Sequence, residues 1–262
     1  MTSTPALAGQ VAIVTGASRG LGRSIALALA AAGAAVAVAA RSKADLEETA
    51  GLVQHAGGRA LAIPTDVTSY TEVERLIDAT RSTFGRLDVL VNNSGIAKVQ
   101  PLVDWRPEDW RTVLDVNLIG VFNGCRAAGP HFIAQSAGKV INISSMLAAV
   151  GLPGYTIYSA TKGAIIAFTR TLGVEWARHN VQVNAIAPGW IETPMTATMQ
   201  PGRRKWVEEH VPQNRYGHTR DIADLAVYLA SPASDYVTGQ TFPVDGGFLA
   251  GNPWPPLGNR PV

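Results

Sequence analysis

Seven short apolar runs recur along the chain, at residues 10–15, 35–40, 60–64, 87–91, 139–143, 181–186 and 240–244. Most lack polar residues at alternate positions, so strands made from them must be buried on both faces. Between the runs lie segments whose apolar residues repeat at helical spacing, such as 43–55, 71–84 and 221–230. Strands alternating with helices in this way predict a doubly wound α/β (Rossmann) fold, with helices on both faces of a parallel sheet. No repeat, charge block or linker divides residues 1–250, which read as one domain. The composition changes at 251–262, where Pro253, Pro255, Pro256 and Pro261 exclude regular helix and central strand. Trp254 and Leu257 make this tail too apolar for an ordinary disordered end. It is expected to dock across a subunit interface.

Composition narrows the picture. A chain of 262 residues buries roughly three quarters of its unfolded surface and needs no staple. The net charge is +2 and the basic residues are scattered, which argues against a nucleic-acid surface and against a membrane patch. Cys125 is the single cysteine, so neither an intrachain disulfide nor a thiolate metal cluster is expected, and it reads as a small buried hydrophobe. No metal site is predicted. Residues 24–40 are nearly all apolar, but Gly33 divides them into a helix and a short buried strand rather than a membrane span. The N-terminus lacks the basic start and long apolar run of a secretory signal, so a cytoplasmic location is expected.

The first run leads directly into Thr15-Gly16-Ala17-Ser18-Arg19-Gly20-Leu21-Gly22, after which a helix begins. Glycines at such a strand-to-helix turn let a pyrophosphate approach the backbone, and the helix N-terminus offers it unpaired N–H groups. A dinucleotide fold normally ends its second strand with an acid that holds the adenosine ribose. Here the strand ends Ala40-Arg41-Ser42, with no acid before Asp45. Arg41, with Arg19 converging from the loop, suits a 2′-phosphate, because a guanidinium binds it bidentately. NADP(H) is therefore the preferred cofactor, with NAD(H) the alternative.

The reaction chemistry gathers further along. The run 139–143 ends in Ser144-Ser145, at the sheet edge where open α/β folds bind ligands. Tyr158 and Lys162 come next, at a spacing that puts both on one face of a helix. Hydride transfer to a carbonyl needs a proton for the oxygen. A free phenol, with pKa about 10, holds its proton too tightly near neutrality. A neighbouring ammonium, together with the positive charge of oxidised nicotinamide, should lower it, and Tyr158 then carries the proton in either direction. Ser145 holds the substrate oxygen against it. Asn117 stands on the apolar stripe of a helix over 108–122, with Trp110, Val113, Leu114, Leu118, Val121 and Phe122, and its amide is expected to combine two roles, a structural bridge and the positioning of water toward Lys162. Residues 190–211 carry Trp190, Met195, Met199 and Trp206 outside any core pattern, and predict a lid.

Together these residues resemble the short-chain dehydrogenase/reductase family. The resemblance runs from about Leu7 to Phe248. It includes Thr15–Gly22, Asp66-Val67, Asn92-Asn93-Ser94-Gly95, Asn117, Ser145, Tyr158-Ser159-Ala160-Thr161-Lys162, Pro188-Gly189 with Ile191 and Thr193, and Val244-Asp245-Gly246-Gly247. One departure is Ser94, where the family usually has alanine. The resemblance implies that Asp66 and Val67 hold the adenine, and that Asn93 and Gly95 line the adenosine side. It assigns the nicotinamide carboxamide to Ile191 and Thr193, and a grip on the ribose to Lys162. It also implies a seven-stranded sheet and a homotetramer with residues 108–135 and 158–179 at an interface. Two subfamilies look close: 3-oxoacyl carrier-protein reductases, and sugar-acid or polyol dehydrogenases of the gluconate 5-dehydrogenase kind. An acidic carrier protein asks for a basic patch near the active-site mouth, and residues 132–138 carry no positive charge. The stretch 177–184 resembles the polyol group more, so a small sugar acid or polyol is the expected substrate. A dinucleotide-binding regulator without activity would show a broken tetrad, and here Asn117, Ser145, Tyr158 and Lys162 are all present.

Overall fold

The computed structural model describes residues 5–197 and 201–251. The seven runs become strands β1 (Val11–Thr15), β2 (Ala35–Ala40), β3 (Ala60–Pro64), β4 (Val89–Asn92), β5 (Gly138–Ile143), β6 (Val181–Pro188) and β7 (Thr241–Val244). They pair in parallel in the order 3-2-1-4-5-6-7. The strands from β1 to β6, apart from edge strand β3, are buried almost throughout, as their missing alternation requires.

The helices are α1 (Gly20–Ala31), α2 (Lys43–His55), α3 (Tyr70–Phe84), α4 (Pro107–Leu114), α5 (Gly120–Gln135), α6 (Thr156–Ala177), α7 (Pro194–Ala197), α8 (Pro201–His210) and α9 (Thr219–Ala230). Successive strand residues point to opposite faces, and the core divides accordingly. Ala12, Val14, Val36 and Val38 pack with Ile25 and Leu29 of α1 and with Ile222 and Leu229 of α9. Ile13, Ala37 and Leu90 pack with Leu76 of α3, Val121 and Phe132 of α5, and Ile165 and Trp176 of α6. The apolar stretch 24–40 is, as expected, a helix closed by Gly33 at φ +103° and continued by β2. No helix among the described residues is long and apolar enough to cross a membrane.

One predicted element differs. The helix expected over 108–122 is interrupted by a turn of π-helix at Asp115–Ile119, between α4 and α5. Asn117 lies in that turn and is fully buried, whereas Phe122, assigned to the same buried stripe, is 46 % exposed. The extra residue of a π turn rotates the next helical segment about its axis, which turns Phe122 away from the core. The tail 252–262 and Met199 lie outside the described residues.

Candidate active site

All seven strands run the same way, so the loops after β1, β4, β5 and β6 meet along one sheet edge. The first loop is shaped by glycine. Gly16 and Gly20 have φ of +65° and +57°, which side chains other than glycine rarely adopt. A Cβ on Gly22 would collide with the Gly16 carbonyl oxygen. The amide of Asn93 crosses from β4 and donates to the carbonyls of Thr15 (2.9 Å) and Gly16 (3.2 Å). The Thr15 hydroxyl accepts from the backbone N–H of Asn93 (3.0 Å) and Ser94 (3.1 Å). Thr15 and Asn93 thus lock the loop to β4, a role for Thr15 that no sequence motif announces. Arg19 precedes α1 in extended conformation and no side chain caps the helix, so its first N–H groups face outward beside Ser18 and Leu21. This cradle fits a pyrophosphate.

The other predicted cofactor residues lie along the same edge. Ala17 N–H donates to the Ala39 carbonyl (3.2 Å), which brings the loop beside the end of β2 and Arg41. Arg19 and Arg41 are both exposed, and neither is ion-paired to a described residue. Ser42 caps α2 by accepting from Asp45 N–H (3.5 Å). After β3, the Asp66 carboxylate accepts from Thr68 N–H and Oγ1, both at 2.9 Å, while Val67 is buried against Gly120. After β6, Gly189 N–H donates to the Val244 carbonyl (2.9 Å), continuing the pairing of Pro188 with Val244. Thr193 and Pro194 close over Gly20, whose Cβ would stand 3.3 Å from the Pro194 ring. Ile191 is 5 % exposed and its side chain belongs to the core beneath α9, so only its backbone is left to meet a ligand.

The four predicted catalytic side chains come together at β5, α6 and the π turn. Lys162 is 3 % exposed, and its Nζ lies 5.6 Å from the Tyr158 ring centroid and donates to the Ile143 carbonyl at 2.7 Å. Ser144 Oγ donates to the Lys162 carbonyl (2.9 Å), tying α6 to the end of β5. Asn117 clasps Ile96: its Oδ1 accepts from Ile96 N–H (2.9 Å) and its Nδ2 donates to the Ile96 carbonyl (3.0 Å). Nδ2 also donates to Thr161 Oγ1 (3.2 Å), which in turn donates to the Tyr158 carbonyl (2.7 Å). Gly95 sits between these groups, its Cβ position 3.5 Å from Asn117 Oδ1 and 3.6 Å from Lys162 Nζ. Of the two roles expected for Asn117, the side chain visibly fills the bridging one. Ser144 and Thr161 were legible only as neighbours of Ser145 and Lys162, and the Ile143 carbonyl carried no signal at all.

Burial sets the electrostatics of this pair in the protein alone. Burial around the hydroxyl pushes Tyr158 up to about 12, with the neighbouring Ser145 hydroxyl pulling the other way. Burial holds Lys162 down to about 8. Desolvation thus disfavours the charged form of both groups, and the positive charge of an oxidised nicotinamide, which the expectation includes, stands outside this balance.

An apolar cluster adjoins this constellation. Met146, Leu147, Tyr155, Trp190, Val207, Val211 and Tyr216 form it, with Val150, Leu152, Phe248 and Leu249 packed around them and Tyr158 at its edge. The Tyr155 ring meets that of Tyr158 edge-on at 6.1 Å. From the predicted lid, Trp190, Val207 and Val211 join the cluster, while Met195 and Trp206 remain 52 % and 39 % exposed. One expectation is corrected at residues 132–138 and 177–184. Residues 132–137 and 177–180 precede strands β5 and β6, and Asn180 Nδ2 donates to the Ser136 carbonyl (3.1 Å). They lie at the opposite sheet edge, about 20 Å from Ser145 at 3.3 Å per strand residue. Their charge therefore says nothing about the mouth of this chain's own site. Among the described residues no group of acidic, histidine and cysteine side chains is arranged to hold a metal ion.

Residues 16–249 match the family model described as enoyl-(acyl carrier protein) reductase. A 3-oxoacyl-[acyl-carrier-protein] reductase of Synechocystis sp. is 43 % identical over 246 residues, covering 93 % of this chain and 98 % of that protein. A short-chain type dehydrogenase/reductase from Mycobacterium marinum superposes with a TM-score of 0.91 at 35 % identity, covering 95 % of this chain and 98 % of the other. A gluconate 5-dehydrogenase from Burkholderia cenocepacia, solved with NADP and tartrate, gives a TM-score of 0.91 at 36 % identity with the same coverage, 95 % and 98 %.

Proposed function

The chain belongs to the short-chain dehydrogenase/reductase family, oxidoreductases that act on CH–OH groups with NAD(P), and from that premise we propose that it interconverts a ketone and a secondary alcohol carried on an apolar body. The observation that carries the substrate reading is the apolar cluster beside Tyr158. Its side chains are aliphatic and aromatic from Met146 to Leu249. A sugar acid bound against that cluster would set several hydroxyls beside apolar groups, at about 1–3 kcal/mol for each one left without a partner. A 3-oxoacyl thioester presents one carbonyl for Ser145 and Tyr158 and an acyl chain for the apolar side chains. The sugar-acid reading keeps the support of the likeness to the gluconate 5-dehydrogenase. A panel of 3-oxoacyl thioesters, apolar ketones, gluconate and keto-gluconates, monitored by NADPH absorbance, separates the two. Higher kcat/KM on keto-gluconates than on every apolar ketone would overturn the apolar reading.

In this reading Tyr158 donates its proton to the carbonyl oxygen during reduction and takes it back during oxidation. Ser145 holds the same oxygen. Lys162, anchored by the Ile143 carbonyl, stays beside the phenol, and Asn117 keeps Ile96 and Thr161 in register with Tyr158. A nicotinamide held at this edge would supply or receive the hydride and, in its oxidised form, a positive charge that favours the phenolate. Tyr158→Phe is expected to cut kcat by roughly 100-fold or more, with the NADPH Kd nearly unchanged. Activity within tenfold of the parent would overturn the assignment.

For the cofactor we propose NADP(H), carried by Gly16, Ser18, Arg19, Gly20, Leu21, Gly22, Arg41, Ser42, Asp66, Val67, Asn93, Gly95, Pro188, Gly189, Ile191 and Thr193. Its support is the exposed, unpaired Arg41 beside the loop that holds Arg19. Arg41→Asp is expected to reverse the kcat/KM preference between the two nicotinamides. A parent enzyme that prefers NAD(H) would contradict the proposal.

A further inference from the structure

Three side chains grip the glycine loop from behind. Arg23 stands at the fourth position of α1, and Glu48 and Thr49 stand on α2. Arg23 Nη2 donates to the Ser18 carbonyl and to Glu48 Oε2 (2.9 Å), and Nη1 donates to Glu48 Oε1 (2.8 Å). Its Nε donates to the Thr49 hydroxyl (2.9 Å). Thr49 is fully buried, and its hydroxyl donates to the Ala17 carbonyl (3.0 Å), with the Asp45 carbonyl of its own helix as the competing acceptor (3.1 Å). Helix stability alone does not select this arrangement. The dipole of α1 disfavours a cation near its N-terminus, and no acid occupies the first turn to offset it.

The grip fixes the direction of two peptide planes. In a planar trans peptide the carbonyl and the N–H that follows it point opposite ways. An Ala17 carbonyl turned toward Thr49 therefore sends the Ser18 N–H away from α2. A Ser18 carbonyl turned toward Arg23 does the same for the Arg19 N–H. Neither N–H donates to a described residue. The Ala17 N–H reaches the Ala39 carbonyl (3.2 Å), which sets both free donors beside the end of β2, where Arg41 follows. Two backbone donors and the exposed guanidiniums of Arg19 and Arg41 thus gather around one place, and such a set suits a phosphate dianion. On the NADP(H) reading, we propose that Arg23 and Thr49, with Glu48 steadying Arg23, are positioning residues that aim the Ser18 and Arg19 N–H groups at the 2′-phosphate. The backbone then selects the phosphorylated dinucleotide alongside Arg41. A grip that only tied α1 to α2 would affect both nicotinamides alike.

NADPH and NADH differ only at the 2′ position, so the ratio of their Kd values isolates this contact. Both are titrated against the full-length chain and followed by the fluorescence of the reduced nicotinamide. Thr49→Val keeps shape and charge and removes the hydroxyl. The ratio Kd(NADH)/Kd(NADPH) should fall about fivefold to tenfold from that of the parent, the worth of one hydrogen bond, and Thr49→Ser should restore it. Arg23→Lys keeps the charge and loses the planar fork, so it should lower the ratio in the same direction. Should Thr49→Val not fold, Arg23→Lys, at a partly exposed position, decides alone. An unchanged ratio, or Kd values that rise together for both cofactors, would rule the proposal out. A parent whose own ratio lies below one contradicts the NADP(H) reading, while the shift on substitution still decides the role of Arg23 and Thr49.

Discussion

Lys162 shows how far burial alone sets the chemistry of one side chain. Folding takes its ammonium out of water, and the group releases its proton at about 8 instead of the ordinary 10.5. Between those values the unfolded chain binds more protons than the folded one, so stability rises with pH across the window. Below it, the folded protein carries the full penalty of a buried ammonium, on the order of 3 kcal/mol. Lys162→Met removes the titration. The melting temperature of the variant minus that of the parent should be greatest below pH 8 and should shrink steadily toward pH 10.5. A difference that stays level would show that the amine is not desolvated. The residue types of the site were legible in the sequence because a phenol, an ammonium and a hydroxyl at those spacings have few other uses. The direction of the Tyr158 shift was not, since it depends on how many apolar groups from distant segments crowd its hydroxyl.

Among the elements, the π turn at Asp115–Ile119 achieves a placement that a regular helix could not. Its extra residue carries Asn117 into the space between Ile96 and Thr161, where both ends of the amide are used. Asn117→Ala leaves the Ile96 N–H and carbonyl without partners and is expected to destabilise the chain by about 2–3 kcal/mol. Urea unfolding measures this, and a loss under 0.5 kcal/mol would mean that water replaces the amide. The stripe through α4 and α5 marked a buried amide in the sequence, but helical periodicity has no term for one inserted residue. Phe122 was assigned inward for that reason and lies outward.

For the whole molecule, the outward residues gain a use. Ile119, Phe122 and Val174 expose 37 %, 46 % and 79 % of their surface on the π turn, α5 and α6. A tetramer built on those helices, as the family resemblance implies, would cover them. Phe122→Asp combined with Val174→Asp should lower the mass measured by light scattering to that of a smaller assembly. An unchanged mass would place any interface elsewhere. The sequence by itself determined the strand count, the parallel sheet and the glycine turn between β1 and α1, because periodicity, buried runs and glycine spacing are local properties. It also picked out Ser145, Tyr158 and Lys162, since they sit on two neighbouring elements whose order the chain dictates. Tertiary structure decided the rest. Residues 132–138 turned out to lie at the far sheet edge, the Ile191 side chain in the core, and the apolar cluster beside Tyr158 to come from segments after β5, β6 and β7. Which side chains share a cluster depends on how those segments pack, and packing between residues far apart leaves no trace in the spacing of either.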